Sequence, residues 1–332
     1  MIPRLDALFL HAALATMASM PNAAAPAPRT SCDSLRVLTV PERPRQGALF
    51  RVRVDGAAPS ASLHGNAAGE PLHFIATTGG HEALAAAPID AESPLRVTVS
   101  CSGAGSTDSI VARVALARAN YPLERLHVAP KFSAPPDSAL EDRMRRETAL
   151  AAEVSRRAHE TPRLWTAPFR KPRDSRVTST FGRGREFNGT VTSRHMGTDY
   201  AGAVGATVRA SNRGVVRLVE SFFLGGNVVY VDHGAGIVTA YLHLSRQSVA
   251  VGDTVNAGDV IGLVGATGRV TGPHLHWIVR YGGVTVDPAS LLRITGRGDE
   301  PGLAEPQPTA RTSPRSARRS ADASRRSGDS MR

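Results

Sequence analysis

The chain contains little lysine, little cysteine and few aromatic residues. Lysine and arginine together number 40 among 332 residues, but only Lys131 and Lys171 are lysines, so arginine carries almost all of the positive charge. No apolar run reaches the roughly 20 residues that an ordinary membrane-spanning helix needs. The His-Glu-x-x-His pattern of helical zinc peptidases is also absent. The sequence therefore predicts neither a transmembrane anchor nor a zinc peptidase of that helical kind.

The net charge of +11 is unevenly distributed along the chain. Much of the excess lies in residues 311–332, which consist largely of arginine, serine, alanine and proline. A segment of this composition cannot bury enough apolar surface to offset the entropy lost on ordering. We therefore expect a disordered Arg/Ser-rich tail at 297–332, and no nucleic-acid partner. Weak binding of this tail to anionic polymers of the cell envelope is the functional alternative.

The two cysteines, Cys32 and Cys101, lie far apart, and neither has a second cysteine or histidine at zinc-ligand spacing. One disulfide closing a small β-domain is the simplest account, and it requires an oxidising compartment.

At the N-terminus Arg4 precedes an apolar run that small residues follow, which predicts a signal peptide at 1–27. The residues before Cys32 lack the leucine expected of a lipoprotein signal. We expect an exported protein of the periplasm or cell envelope.

Composition divides the rest of the chain into three parts. Residues 31–120 contain short alternating runs separated by turn residues, which predicts an Ig-like β-sandwich. Residues 121–161 are a Pro-rich linker followed by an amphipathic helix, for which Ser138 and Glu141 form a candidate capping box. Residues 162–296 are rich in glycine and valine and predict a C-terminal domain of antiparallel β-sheet without a helix of normal length. The expected fold class is therefore mostly β with one linking α-helix.

Most histidines of the N-terminal region are scattered among glycine and alanine. We expect the sandwich histidines His64, His73 and His81 to be ordinary surface or loop residues. His233 lies in an Asp-His-Gly turn pattern and is expected to be structural.

The histidines of the C-terminal region form a different pattern. His274 and His276 are separated by one residue, so on a strand they point to the same face. His195 and Asp199 flank Gly197, which lets the chain bend between them. His243 ends another β-run, where regular alternation places it on the face of Tyr241. Such a set is sufficient for an open zinc site with three protein ligands and catalytic partners. The sequence therefore predicts a metal-dependent hydrolytic site.

The same motifs resemble those of the lysostaphin-type, or LytM-domain, peptidoglycan endopeptidases. They are His-x-x-x-Asp, Tyr-x-His-Leu-Ser and Gly-Pro-His-Leu-His, and they occur in family order between Val177 and Leu292. The resemblance implies a peptidase domain of lysostaphin type that binds one Zn²⁺ per chain through His195, Asp199 and His276. It implies that His243 and His274 are catalytic. It also implies a zinc metalloendopeptidase that hydrolyses peptide bonds in peptidoglycan stem peptides or cross-links during cell-wall remodelling.

The sequence departs from this family in the loop before His195. Relatives often carry an arginine two residues after the glycine equivalent to Gly182, whereas here Arg183 and Arg185 flank Gly184. Some relatives use a tyrosine of this loop to stabilise the oxyanion. None stands between Phe181 and His195, so that role is unassigned or falls to another group.

Two other functions fit parts of the pattern. A non-catalytic LytM-domain regulator that activates a cell-wall amidase is the alternative, although such regulators have usually lost zinc ligands that this chain retains. The Val-Gly-Asp-x-Val-x-x-Gly-Asp-x-Ile pattern that begins at Val251 also resembles biotinyl or lipoyl carrier domains. Those domains need a lysine on an exposed hairpin, and no lysine follows Lys171. The carrier interpretation is therefore rejected.

Overall fold

The computed structural model describes residues 32–103, 106–189 and 191–296. The predicted signal peptide at 1–27 and the predicted tail at 297–332 lie outside the described residues. Within the described ranges, most regular structure is β-strand, with two α-helices, so the expected mostly β fold class is confirmed. Neither of these helices is long and apolar enough to cross a membrane.

The N-terminal region is built from two four-stranded antiparallel sheets. Its strands are β1 (Cys32–Val40), β2 (Leu49–Ala57), β3 (Ser62–Ala67), β4 (Glu70–Pro71), β5 (Ile75–Thr77), β6 (Gly80–Ala86), β7 (Leu95–Gly103) and β8 (Ser106–Val114). The sheets have the orders β1-β2-β6-β5 and β4-β3-β7-β8. Alternate residues of β2 and β7 are buried, as a strand with one face in a core requires. A disulfide between Cys32 and Cys101 joins the two sheets and confirms the expected pairing.

Among the three sandwich histidines, only His81 differs from the expected surface or loop position, since His64 is exposed in β3 and His73 lies in the loop between β4 and β5. His81 in β6 is only 4% exposed, because it lies on the inward face of its strand. His73 stacks on His159, and its Nε2 lies 2.8 Å from Nδ1 of that residue. His159 also contacts the Glu70 carboxylate at 2.9 Å. These residues join the sandwich to the chain that follows the linking helix.

The linker contains more regular structure than its sequence indicates. It includes a short strand, β9 (Leu123–Leu126), and a 3₁₀ turn at Pro130–Phe132, before helix α1 (Ser138–Arg157). The helix is capped by Asp137, whose Oδ1 accepts a hydrogen bond from the backbone N–H of Leu140 at 2.8 Å. The expected cap at Ser138 is therefore one residue too late, because the carboxylate of Asp137 fills that role.

The C-terminal region is dominated by a ten-stranded sheet. Its members are β10 (Val177–Ser179), β13 (Thr198–Ala201), β14 (Thr207–Arg209), β15 (Gly214–Phe222), β16 (Gly226–Gly234), β17 (Ile237–Gln247), β18 (Thr254–Val255), β19 (Val260–Val264), β20 (His274–Tyr281) and β21 (Val284–Val286). The main path is β10-β13-β20-β17-β16-β15-β18. A hairpin of β11 (Gly184–Phe187) and β12 (Val191–Arg194) forms a separate three-stranded sheet with β9. A second helix, α2 (Pro288–Thr295), is an addition to the expected fold, and its eight residues are too few to show a clear helical period.

The two faces of the large sheet have different partners. One face carries the main core, which includes the buried Tyr241, Leu275 and Trp277. The other face packs against α1 through a smaller cluster that includes Leu242 and Val228. Alternation along β17 and β20 assigns successive residues to these two faces. His274 and His276 lie on the α1 side, because they alternate with Leu275 and Trp277.

His233 occupies a buried structural position at the turn between β16 and β17. It is 0% exposed, its Nδ1 donates to the Arg213 carbonyl at 2.7 Å, and its Nε2 lies 2.8 Å from Thr239 Oγ1. Burial is the main cause that lowers the pKa of His233 from 6.5 to about 4. The unfolded chain therefore binds a proton as pH falls through about 6.5, whereas the folded chain does not do so until about pH 4.

We expect the free energy of unfolding to fall as pH is lowered across that window, with a contribution from His233 of about 3 kcal/mol. Chemical denaturation of the wild type and of His233→Gln at several pH values would measure it. Because glutamine does not titrate, the variant should show a shallower pH dependence than the wild type. Equal slopes for the two proteins would contradict this assignment.

Candidate metal centre and active site

Three potential metal ligands meet where strand β13 runs beside strand β20. Asp199 and His276 are directly opposite each other in this antiparallel pair, so their side chains share one face. His195 lies just before β13, where its backbone N–H donates to the Arg183 carbonyl at 2.8 Å. All three residues are buried.

The ligand atoms of this cluster converge on one point. His195 Nε2 lies 2.9 Å from Asp199 Oδ1 and 3.0 Å from His276 Nδ1. His276 Nδ1 lies 2.7 Å from the same carboxylate oxygen. Two imidazole nitrogens and a carboxylate oxygen are ligands that zinc prefers in catalytic sites.

The tautomer of His195 tests whether a cation fits this cluster. Its Nδ1 lies 2.9 Å from the Thr180 carbonyl, and a carbonyl can only accept, so Nδ1 carries the proton. In the neutral ring Nε2 then presents a lone pair to the Asp199 carboxylate at 2.9 Å. Two acceptors at this distance repel each other unless a proton or a cation lies against both. A divalent cation satisfies the arrangement, so the residues fit a metal ion.

Position 197 requires glycine because there is no space for a side chain, and not because its backbone is left-handed. A Cβ at this position would lie 2.6 Å from Cε1 of His276 and 2.5 Å from the Trp277 carbonyl oxygen. Any side chain at Gly197 would therefore push against the ring of a candidate ligand. The expected bend between His195 and Asp199 is present, but close approach to β20 explains the glycine.

His243 and His274 lie beside the cluster and are oriented by one loop. The ring centroid of His243 is 5.0 Å from that of His274 and 5.8 Å from that of His276. His243 Nδ1 donates to the Thr267 carbonyl, and His274 Nδ1 donates to the Gly272 carbonyl, each at 2.8 Å. Because both Nδ1 atoms hold protons, Nε2 of each neutral ring is free to accept one. His274 Nε2 lies 3.7 Å from Asp199 Oδ1, at the edge of the cluster.

His243 reaches the site through a bulge in β17, contrary to the expected regular alternation. The pairing with β16 slips between Val229 opposite Tyr241 and Asn227 opposite Leu244, and His243 has a left-handed φ of 62°. Regular alternation would turn His243 toward the core with Tyr241. The extra residue redirects its side chain to the opposite face, where His276 lies.

Burial and charge keep the central groups in defined protonation states. Burial alone raises the pKa of Asp199, but its contacts with His195 and His276 outweigh that effect and hold the pKa well below its ordinary value. Burial is the largest cause that lowers the pKa of His276 to about 4, against the opposing influence of Asp199. The pKa of His243 is also well below its usual range, because of burial and then of His276 and His274. At neutral pH Asp199 is ionised, while His243 and His276 are uncharged.

Arg185 is one of the two arginines in the loop before His195, where the sequence differs from the family pattern. It contacts this cluster directly. Its Nη2 donates to Asp199 Oδ2 at 2.7 Å and to Ser179 Oγ at 3.3 Å. Ser179 Oγ in turn lies 3.1 Å from His195 Nδ1. Sequence reasoning did not assign a role to Ser179, which belongs to none of the histidine motifs.

Tyr121 does not replace the tyrosine that this loop lacks. Tyr121 of the linker packs its ring edge-on against Phe181 and closely approaches Gly182. Its hydroxyl donates to the Gln46 carbonyl at 2.8 Å. The Tyr121 hydroxyl is thus already engaged away from the histidine cluster.

Comparison with known proteins matches this region to a peptidase family. The model of peptidase family M23 matches residues 193–288. The peptidoglycan DD-endopeptidase ShyC of Vibrio cholerae is 39% identical over 140 residues, covering 40% of this chain and 32% of that protein. The DD-carboxypeptidase/endopeptidase Mpg of Neisseria meningitidis is 46% identical over 101 residues, covering 30% of this chain and 23% of that protein.

A structural relative extends the likeness beyond the peptidase region. A putative M23 peptidase from Pseudomonas aeruginosa superimposes with a TM-score of 0.60 at 26% identity, covering 75% of this chain and 95% of that one. By contrast, the matches to ShyC and Mpg span less than a third and less than a quarter of those proteins. The lysostaphin-type resemblance is confirmed for the C-terminal region, where residues 193–288 are a peptidase family M23 domain.

Proposed function

We propose that the chain is an exported zinc metalloendopeptidase that cleaves peptide bonds in peptidoglycan cross-links. The observation that carries this proposal is the convergence of His195, Asp199 and His276 beside two further histidines whose Nε2 atoms are free. Three protein ligands leave a fourth coordination position, which is the arrangement of catalytic rather than structural zinc sites.

The proposed chemistry divides the five residues into two groups. Zinc held by His195, Asp199 and His276 supplies Lewis-acid chemistry, which polarises a carbonyl and makes water a stronger acid. His243 Nε2 accepts the proton of the attacking water and later delivers it to the leaving amine. His274 Nε2, which is free in the neutral ring, would take up a proton from solvent and then donate it in a hydrogen bond to the developing oxyanion. Their Nδ1 hydrogen bonds to loop carbonyls keep both rings in the orientation that these transfers require.

The choice of bond and compartment is supported by the relatives and by the disulfide. ShyC is named a peptidoglycan DD-endopeptidase, which favours a cross-link between two D-configured centres as the substrate here. The Cys32–Cys101 disulfide requires an oxidising compartment, which is consistent with export to the periplasm or cell envelope. Peptidoglycan is the proposed partner in that compartment.

Digestion of defined muropeptides by the full chain tests this function. We expect the zinc-loaded protein to convert dimers joined by a D,D cross-link into monomers, as read by mass spectrometry. Chelation should abolish cleavage, and added zinc should restore it. Dimers of the same composition joined by an L,D cross-link are the matched control and should remain intact.

An alternative outcome would replace the proposed function. If the zinc-loaded chain leaves every dimer intact but stimulates a cell-wall amidase, it is a regulator and the catalytic proposal is wrong.

A further inference from the structure

The linker strand β9 lies beside the candidate metal centre, although it belongs to neither the sandwich nor the large sheet. It pairs in parallel with β11, so that Glu124 is opposite Arg185. It also lies outside residues 193–288, which match the M23 family. A segment that precedes the peptidase domain in the chain thus contributes a carboxylate to the surroundings of the site.

The Glu124 carboxylate makes four polar contacts with the loop that supports His195 and Asp199. Its oxygens lie 3.2 and 3.1 Å from Ser179 Oγ. Arg183 Nη1 lies 2.9 Å from Oε1, and Arg185 Nε lies 3.6 Å from Oε2. The Glu124 and Arg185 side chains are each only 17% exposed, so water screens their interaction weakly.

The directions of the hydrogen bonds around Ser179 link Glu124 to His195. A carboxylate can only accept, so the single hydroxyl proton of Ser179 points to Glu124. The Ser179 oxygen is then left as an acceptor for Arg185 Nη2 and as a second acceptor, beside the Thr180 carbonyl, for His195 Nδ1–H. Glu124 thereby reinforces the tautomer in which His195 Nε2 is unprotonated and able to bind a metal. This is the outer-shell carboxylate–histidine relation common to metal sites, with a serine hydroxyl between the two groups.

The positive charge of Arg185 links Glu124 to Asp199. Arg185 Nη2 donates to Asp199 Oδ2 at 2.7 Å, so its positive charge acts directly on one candidate ligand. Arg183 adds a second positive charge on the same carboxylate of Glu124. Without Glu124, Asp199 would be the sole carboxylate among these contacts to balance the guanidinium groups of Arg183 and Arg185, and their excess positive charge would oppose cation binding by the cluster. Glu124 offsets that positive charge.

We propose that Glu124 is a positioning residue for the metal centre, acting through Ser179 on His195 and through Arg185 on Asp199. The linker strand is therefore part of the metal-binding unit. This inference rests on the proposed function only in assuming that the cluster binds zinc.

Glu124→Gln tests the inference because it removes the charge while nearly keeping the shape. We expect the zinc affinity of the full chain, measured by competition with a chromogenic chelator, to fall about 10–100-fold. Glu186→Gln is the matched control. Glu186 is in strand β11 of the same small sheet, where it pairs with Arg125 at 3.5 Å. Arg125 is 76% exposed, so breaking this pair should change zinc affinity by less than about twofold.

A double variant separates the electrostatic effect from a general loss of structure. Removing Arg183 from the Glu124→Gln protein, as in Glu124→Gln/Arg183→Met, eliminates one of the two positive charges that Glu124 contacts in the wild type. We expect it to regain part of the lost affinity, which a merely disrupted fold would not do. Thermal unfolding of the metal-free proteins should show that all variants remain folded.

Two results would overturn the inference. One is an unchanged zinc affinity in Glu124→Gln, and the other is a double variant that binds zinc no better than the single one. Both measurements omit substrate, so they are independent of peptidase activity. Tight, Glu124-dependent zinc binding in a chain that cleaves no muropeptide would instead contradict the proposed function alone.

Discussion

Replacing His276 with alanine is expected to remove metal binding and peptidase activity together. His276 Nδ1 lies within 3.0 Å of both other candidate ligand atoms, so its loss leaves only one imidazole and one carboxylate. Removal of an outer-shell partner typically costs about 10–100-fold in metal affinity, and we expect the loss of a direct ligand to exceed that. Zinc content after dialysis, chelator competition and muropeptide digestion would measure the change.

His64→Ala is a suitable control for this variant. His64 lies in strand β3 of the sandwich, and in the described residues its side chain is hydrogen-bonded only to Ser62 Oγ, at 3.3 Å. The control should keep both metal and activity. Stoichiometric zinc retained by a folded His276→Ala protein would show that the ligand assignment is wrong.

Replacing His243 is expected to separate chemistry from metal binding. Its Nδ1 donates to the Thr267 carbonyl, and His243 is not one of the three residues whose ligand atoms converge. Loss of a positioned acid–base group typically lowers turnover about 10²–10⁴-fold. We expect a decrease of that size in the rate of cross-link cleavage at unchanged zinc content.

The backbone of His243 determines which substitution is informative. Its φ of 62° is left-handed, a conformation that alanine adopts at a cost of about 1–2 kcal/mol but asparagine tolerates better. His243→Asn therefore removes the imidazole with little added strain, and His243→Ala should agree with it in activity. Full turnover by a zinc-loaded His243→Asn protein would refute the catalytic role.

The strand pattern explains why part of the site could be predicted from the sequence. His274 and His276 alternate with the core residues Leu275 and Trp277, so the strand period alone assigns them to one face. The distance between His195 and Asp199 could not follow from a period, because His195 precedes the strand that contains Asp199. The motif resemblance supplied that pair.

Other parts of the site depend on interactions that no local pattern encodes. The bulge that redirects His243 arises from pairing between β16 and β17, and a single strand does not show where its partner slips. Glu124 lies in a four-residue strand of a proline-rich linker, where alternation is too short to be recognised. Its contacts with Ser179, Arg183 and Arg185 depend on a parallel pairing between segments about 60 residues apart.

The loop between β19 and β20 limits which changes in chain length the site tolerates. Surface loops usually accept insertions, because their conformation matters little to the core. Here the carbonyls of Thr267 and Gly272 orient two different histidines, and Gly268 packs against the backbone of Gly226 with no room for a side chain. An added or deleted residue between positions 267 and 272 would shift one carbonyl relative to the other, so both imidazoles could not remain aligned. The length of this loop thus sets the distance between the imidazoles of His243 and His274.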